Sequence, residues 1–156
     1  MVLCLRREYP EAPLVGVGVL IYDEQAKRIV LVERGAPPAE GRLSLPGGLV
    51  ELGETVRAAA AREAMEETGL KVEVLELIDV VDSIVYRPGE SRPIYHYVLI
   101  DFLAKPVGGS LRAGGDARRA VWVGLDELPL VADRVTKSTR KILAKVGFLK
   151  LKSPSH

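Results

Sequence analysis

The chain reads as an α/β protein, a mixed β-sheet covered by a helix on each side in an α/β/α sandwich. Three observations predict it. Apolar, β-branched runs recur at residues 14–22, 28–33, 71–86 and 94–104. Helical patterns interrupt and close them at residues 55–68 and 133–148. No internal repeat or shift in composition divides the chain, and 156 residues can bury most of the surface they expose when unfolded. A single domain over residues 1–156 is expected.

Taken in order, LVGVGVLIY is a buried strand, residues 23–27 are a polar turn, and RIVLVE is the returning strand. Residues 35–42 form a loop carrying Pro37 and Pro38, and residues 43–51 are extended but interrupted by Pro46-Gly47-Gly48. The helix at 55–68 contains the run Ala58–Ala61 and stops at Gly69. Arg87-Pro88-Gly89 turns the chain between the two long strands, and Val107-Gly108-Gly109 closes the second of them. A short strand follows at 120–123 around Trp122. The last helix, 133–148, aligns Val135, Ile142, Leu143 and Val146 in one apolar stripe.

Composition narrows the function. Hydrophobic residues are 47% of the chain and the net charge is +1, which is too apolar for disorder and too balanced to grip a nucleic acid backbone. No apolar run reaches the roughly 20 residues of a membrane span, and the opening MVLCLRREYPEAP lacks the apolar core of a signal peptide. A cytoplasmic protein is expected. Cys4 is the single cysteine, so neither an intrachain disulfide nor a cysteine metal cluster can form. With only His96 and His156 as histidines, any metal must be held mainly by oxygen. The chain has no Asn and one Gln, a scarcity of thermolabile residues that points to heat resistance.

One segment concentrates acid. Glu63, Glu66 and Glu67 stand at i, i+3 and i+4 on the predicted helix, the spacing that puts side chains on one face. Val56 and Ala59 share that face, and so small a preceding turn is expected to leave room for a ligand. Two such charges about 4 Å apart repel by roughly 4 kcal/mol at an effective dielectric of 20. Arg57 and Arg62 offer partial pairing, and a hard cation such as Mg²⁺ meets the need more fully. The alternative is a solvated acidic face. Leu45-Pro46-Gly47-Gly48 and Gly53 lead into the helix N-terminus, where glycines allow close backbone approach and anions are favoured. A tight turn between strands accounts for the glycines equally well. Arg34 and Arg42 flank the proline loop, as substrate-phosphate contacts or as solvated surface charges.

Residues 48–70, GLVELGETVRAAAAREAMEETGL, resemble the Nudix box: a Gly, a Glu after five residues, then after seven more R-E-x-x-E-E-x-G and an apolar residue. Gly48, Glu54, Arg62, Glu63, Glu66, Glu67, Gly69 and Leu70 fill those places, with the small Ala64 after Glu63 as a mild departure. SLPGGLVELGET, YHYVLIDFLA and GGDARRAVWV extend the resemblance toward the ADP-ribose pyrophosphatase-like members, over residues 14–142.

The resemblance implies Mg²⁺, with Mn²⁺ able to substitute, held by Glu63, Glu66 and Glu67 and by the carbonyl of Gly47. It implies that Glu54 supports the site, that Arg62 orients a glutamate, and that Gly48 belongs to the substrate loop. Metal-activated water would attack phosphorus, with Glu66 or Glu67 as proton acceptor. Asp116 is the candidate loop acid, or a turn former beside Gly114 and Gly115. Arg119 stands where relatives often carry an acid, which leaves the base open. His96 reads as a packing residue and Trp122 as core. The chain carries no GxxxxGK[ST] loop and no GxSxG elbow, and Gly16-Val17-Gly18 lacks a third glycine.

The expected reaction is hydrolysis of a nucleoside diphosphate derivative, foremost ADP-ribose to AMP and ribose 5-phosphate. Alternatives are a nucleoside triphosphate pyrophosphohydrolase that sanitises the nucleotide pool and a non-catalytic nucleotide sensor. The partner is thus a small nucleotide, and the resemblance implies a homodimer.

Overall fold

A computed structural model describes residues 6–150. Cys4 and His156, singled out above, lie outside the described residues. The elements run β1 (Leu14–Asp23), β2 (Arg28–Arg34), β3 (Leu43–Ser44), β4 (Gly47–Leu49), α1 (Val56–Thr68), β5 (Leu70–Val85), β6 (Tyr95–Gly109), β7 (Ala117–Gly124), α2 (Leu128–Val131), a 3₁₀ turn (Ala132–Arg134) and α3 (Lys137–Lys145).

The strands form a mixed sheet in the order β3-β2-β1-β6-β5, with β4 added to β1 and β7 to β2. β1 and β6 run parallel, and the other pairings are antiparallel. β1 is shared along its length: its first half pairs with β4 and its end with β2. A cleft therefore opens where β4 and β2 part. Period-two alternation sorts the side chains of β1 between two cores. Val17, Val19 and Ile21 face α1 with Phe102 and Ala104, and Leu20 faces α3 with Leu31, Leu45, Val81 and Leu143.

α1 keeps its predicted limits because both ends are fixed locally. The Thr55 hydroxyl accepts from the Ala58 N–H at 3.1 Å, and Gly69, at φ 73°, closes the helix on the Met65 carbonyl. The predicted helix at 133–148 is corrected to a 3₁₀ turn, an extended Val135 bridged to Leu43, and α3 capped by the Thr136 hydroxyl. Val135 belongs to the apolar stripe, but it is held there by backbone pairing to β3. β6 runs on to Gly109, past its predicted end, because Leu70 at the start of β5 pairs with it there. β7 likewise exceeds 120–123, since Arg34 of β2 reaches Ala117. Trp122 is half-buried, with the Arg28 guanidinium 4.1 Å above its ring. No described helix is long and apolar enough to cross a membrane.

Candidate active site

Arg62 organises the acidic segment. Its Nε and Nη2 donate to the two oxygens of Glu54 at 2.7 and 2.9 Å, and Nη2 also donates to the Leu49 carbonyl at 3.0 Å. Nη1 donates to Glu63 Oε1 at 2.8 Å and to Glu66 Oε2 at 3.2 Å. Only a planar fork with five N–H groups can serve three carboxylates and a carbonyl from one position. Hydrogen bonding from Arg62 lowers the Glu54 carboxyl to about 2. Arg57 is not part of this network. It donates to the Leu75 carbonyl at 2.6 Å and lies over Phe102, which corrects the expected pairing.

The three box glutamates separate by depth. Glu66 is half-exposed and turned to Arg62, the Glu63 side chain is mostly covered, and Glu67 is buried. The expectation of open space over the preceding turn fails, because Ala59, Ala60 and Ala64 are packed against the sheet with no exposure. Room beside Glu63 comes instead from Gly48, where a Cβ would stand 2.5 Å from the Glu63 carboxyl. Glu67 accepts from the Gly47 N–H at 3.1 Å. Gly47 stands opposite Gly18 between the residues that bond across the ladder, so its N–H and carbonyl both point away from β1.

Burial raises the Glu67 carboxyl to about 7, against the Gly47 N–H, with Glu63 and Asp116 adding to the rise. Burial also raises Glu63, opposed by Arg62 and reinforced by Glu66 and Asp116. Among the described residues, no three acidic, histidine or cysteine side chains are gathered closely enough to enclose an ion. Arg62 draws Glu63 and Glu66 one way while the Gly47 N–H holds Glu67 in another. The donor set still suits a hard divalent cation: it is all oxygen, and two of its carboxylates are disfavoured as bare charges by burial.

These groups open into a cavity of about 880 Å³. Glu63, Glu67, Gly47, Gly48, Asp116, Arg34 and Arg42 all line it, whereas Glu54, Arg62 and Glu66 do not. Asp116 is exposed on the turn before β7, where its backbone carbonyl accepts from the Gly35 N–H. Arg34 donates to the Pro38 carbonyl at 2.6 Å, and its charge opposes the rise at Glu67. Arg42 donates to the Asp133 carbonyl at 2.7 Å. His96 is half-buried on β6 opposite Ile84 and does not line the cavity.

Sequence reading missed the far end of the cavity, formed by Gly16, Gly18, Leu99 and Asp101 on the sheet and by residues 136–141 at the start of α3. One signal was present. Asp101 is the lone acid within the apolar run YHYVLIDFLA.

The chain also resembles known proteins along most of its length. The NUDIX domain model matches residues 12–146. The chain is 40% identical over 120 residues to the ADP-ribose pyrophosphatase of Methanocaldococcus jannaschii, covering 77% of this chain and 67% of that one. It is 30% identical over 141 residues to the NAD-capped RNA hydrolase NudC of Photorhabdus laumondii, covering 89% of this chain but about half of the relative, 49%. A MutT NUDIX hydrolase from Burkholderia pseudomallei superposes with a TM-score of 0.73 at 36% identity, covering 87% of this chain and 99% of that one. The chain belongs to the Nudix family and is a Nudix pyrophosphohydrolase.

Proposed function

We propose that the chain hydrolyses the diphosphate bond of ADP-ribose, giving AMP and ribose 5-phosphate. The observation that carries this reading is a single cavity with carboxylates at Glu63 and Glu67 that continues past them between the sheet at Gly16, Gly18 and Leu99 and the start of α3, room for a substrate with a diphosphate and a nucleoside. The similarity to a relative named ADP-ribose pyrophosphatase supports the choice among diphosphates.

Glu63, Glu67 and the Gly47 carbonyl would hold Mg²⁺ or Mn²⁺, joined by Glu66 once it turns from Arg62. When bound, the ion supplies charge neutralisation to the diphosphate. Arg62 positions Glu63 and Glu66, and Glu54 holds Arg62 in place. Arg34 and Arg42 face the cavity with charge for the phosphates, and Gly48 keeps the backbone low beneath them. Water adds to one phosphorus, the bridging P–O bond breaks toward the other phosphate, and the proton passes to Glu67 or Asp116.

The test is incubation with Mg²⁺ and ADP-ribose, NADH, sugar nucleotides, dinucleoside polyphosphates or nucleoside triphosphates, followed by identification of the products. AMP with ribose 5-phosphate is expected from ADP-ribose. Pyrophosphate released from triphosphates, with ADP-ribose untouched, would replace this reading by the nucleotide-sanitising one.

A homodimer is part of the same proposal. Val15, Leu77, Val80 and Ile84 leave a sheet surface beyond α1 exposed, each at 42–51%. A second copy would cover it. Light scattering of the wild type and of Val80→Asp measures this.

A further inference from the structure

Two arginines far apart in the chain meet at one turn. Arg42 Nη1 donates to the Asp133 carbonyl at 2.7 Å, and Arg140 Nη2 donates to the carbonyls of Ala132 and Val135 at 3.0 and 3.2 Å. The meeting follows from the fold. Val135 bridges Leu43, the neighbour of Arg42, and Arg140 stands one helical turn beyond Thr136, the residue that caps α3. Backbone carbonyls thus fix each guanidinium in place without cancelling its charge. Arg140 Nε is buried without a partner, so its free donors are those of Nη1, which makes no hydrogen bond among the described residues.

Lys137 and Lys141 stand exposed at i and i+4 on α3, a spacing at which like charges repel. With the two arginines they line the cavity. None of the four has a carboxylate within 4.0 Å among the described residues. Asp133, the acid on the turn, also lines the cavity but pairs with neither arginine. The sheet wall adds Asp82 and the buried Asp101. At the carboxylate end, by contrast, the cation is Arg34, whose charge is felt at Glu67. A divalent ion and Arg34 answer the charge of one diphosphate. Four further cations call for a further anion.

We propose that the far end of the cavity is a second anion subsite, which takes a phosphate beyond the scissile diphosphate. That phosphate is carried on the nucleoside, at the 2′ or 3′ position, or at the end of a longer phosphate chain. The inference rests on the cavity being the substrate site and adds the class of diphosphate preferred there. Guanidinium forks match phosphate oxygens in pairs, and an anion engages the donors that the carbonyls leave free. Leu43, beside the turn, is four residues from Gly47, beside Glu67, a chain span of at most roughly 14 Å. One nucleotide-sized ligand reaches both.

The test is calorimetric titration in Mg²⁺ with AMP, adenosine 2′,5′-bisphosphate and adenosine 3′,5′-bisphosphate, none of which has an anhydride bond to cut. A second arm compares α,β-methylene ADP with bis-methylene ATP, whose P–C bonds resist hydrolysis. Wild type is expected to favour the extra phosphate by about 30-fold in one arm, the worth of a charge-assisted hydrogen bond. A gain with a bisphosphate puts the phosphate on the nucleoside, and a gain with the ATP analogue puts it on the chain. Arg42→Gln combined with Arg140→Gln should bring the ratio close to one. If that pair does not fold, Lys137→Gln with Lys141→Gln, both at exposed positions, should lower it several-fold. Arg134→Gln should leave it unchanged, because Arg134 pairs with Glu33 at 3.6 Å and does not line the cavity. Equal affinities in both arms of the wild type overturn the proposal. A ratio that survives the arginine and lysine substitutions, or that Arg134→Gln lowers as much, also overturns it. The hydrolysis assay fails independently: ADP-ribose left uncut with the ratio intact removes the ADP-ribose reading and leaves the subsite.

Discussion

Two buried acids line one cavity, and the protein treats them differently. Glu67 and Asp101 are 8% and 4% exposed, and burial lifts each to about 7. Glu67 has the Gly47 N–H, and its neighbours Glu63, Glu66 and Glu54 are all bonded to Arg62. Asp101 has no such support at Oδ2. Around Glu67 the charges are positioned by fixed donors, Arg62 and the Gly47 N–H. Around Asp101 burial acts without a donor at Oδ2 to oppose it.

The comparison can be broken first at Glu67. Glu67→Gln keeps shape and volume but removes the charge, so turnover should fall by about 1000-fold, within the usual range for a lost acid–base group. The melting temperature should stay nearly unchanged below about pH 4.5, where Glu67 is protonated in folded and unfolded chain alike, and steady-state kinetics beside a melting curve check both. Gly48→Ala should come next. Its new Cβ displaces the Glu63 carboxyl, and a misplacement of about 1 Å is worth about 100-fold in rate. Wild-type kcat in that variant would show that Glu63 is not held in place for the reaction.

Asp101→Asn sharpens the other end through stability. The folded pKa lies above the ordinary 3.8, so between about pH 4 and 7 the folded protein keeps a proton that the unfolded chain has released. Wild-type stability should fall as pH rises through that window, whereas the amide has no such slope. The variant should therefore gain on wild type, by on the order of a few kcal/mol at pH 8 and by almost nothing at pH 4. Urea unfolding at the two pH values measures it. The smallest effect is expected at the helix that presents Glu63 and Glu67. Thr55→Ala removes the hydroxyl that accepts from Ala58 and should cost about 1 kcal/mol, with kcat barely altered.

Legibility followed the range of the interactions. α1 was readable from Thr55 to Gly69 because a cap hydroxyl and a left-handed glycine act within one turn. The terminal helix was misread at its start because Val135 is drawn into an extended bridge by Leu43, a partner far away in the chain. At the site, the family resemblance implied that Arg62 orients a glutamate, and Arg62 bonds Glu63 and Glu66 along its own helix. Its bidentate hold on Glu54 and its bond to Leu49 were not, because they depend on how the loop folds back over α1.

The kind of fold and the limits of α1 follow from the amino-acid sequence, because caps, periodicity and residue chemistry operate over short stretches of chain. Tertiary structure alone decided which glutamates face the cavity and which turn to Arg62. It also decided that Gly18 makes room for an unpaired Asp101. Depth and pairing are set by strands that meet only when the sheet assembles. Hence a carboxylate that looks like any other along the chain becomes, once buried, a group that keeps its proton up to about pH 7.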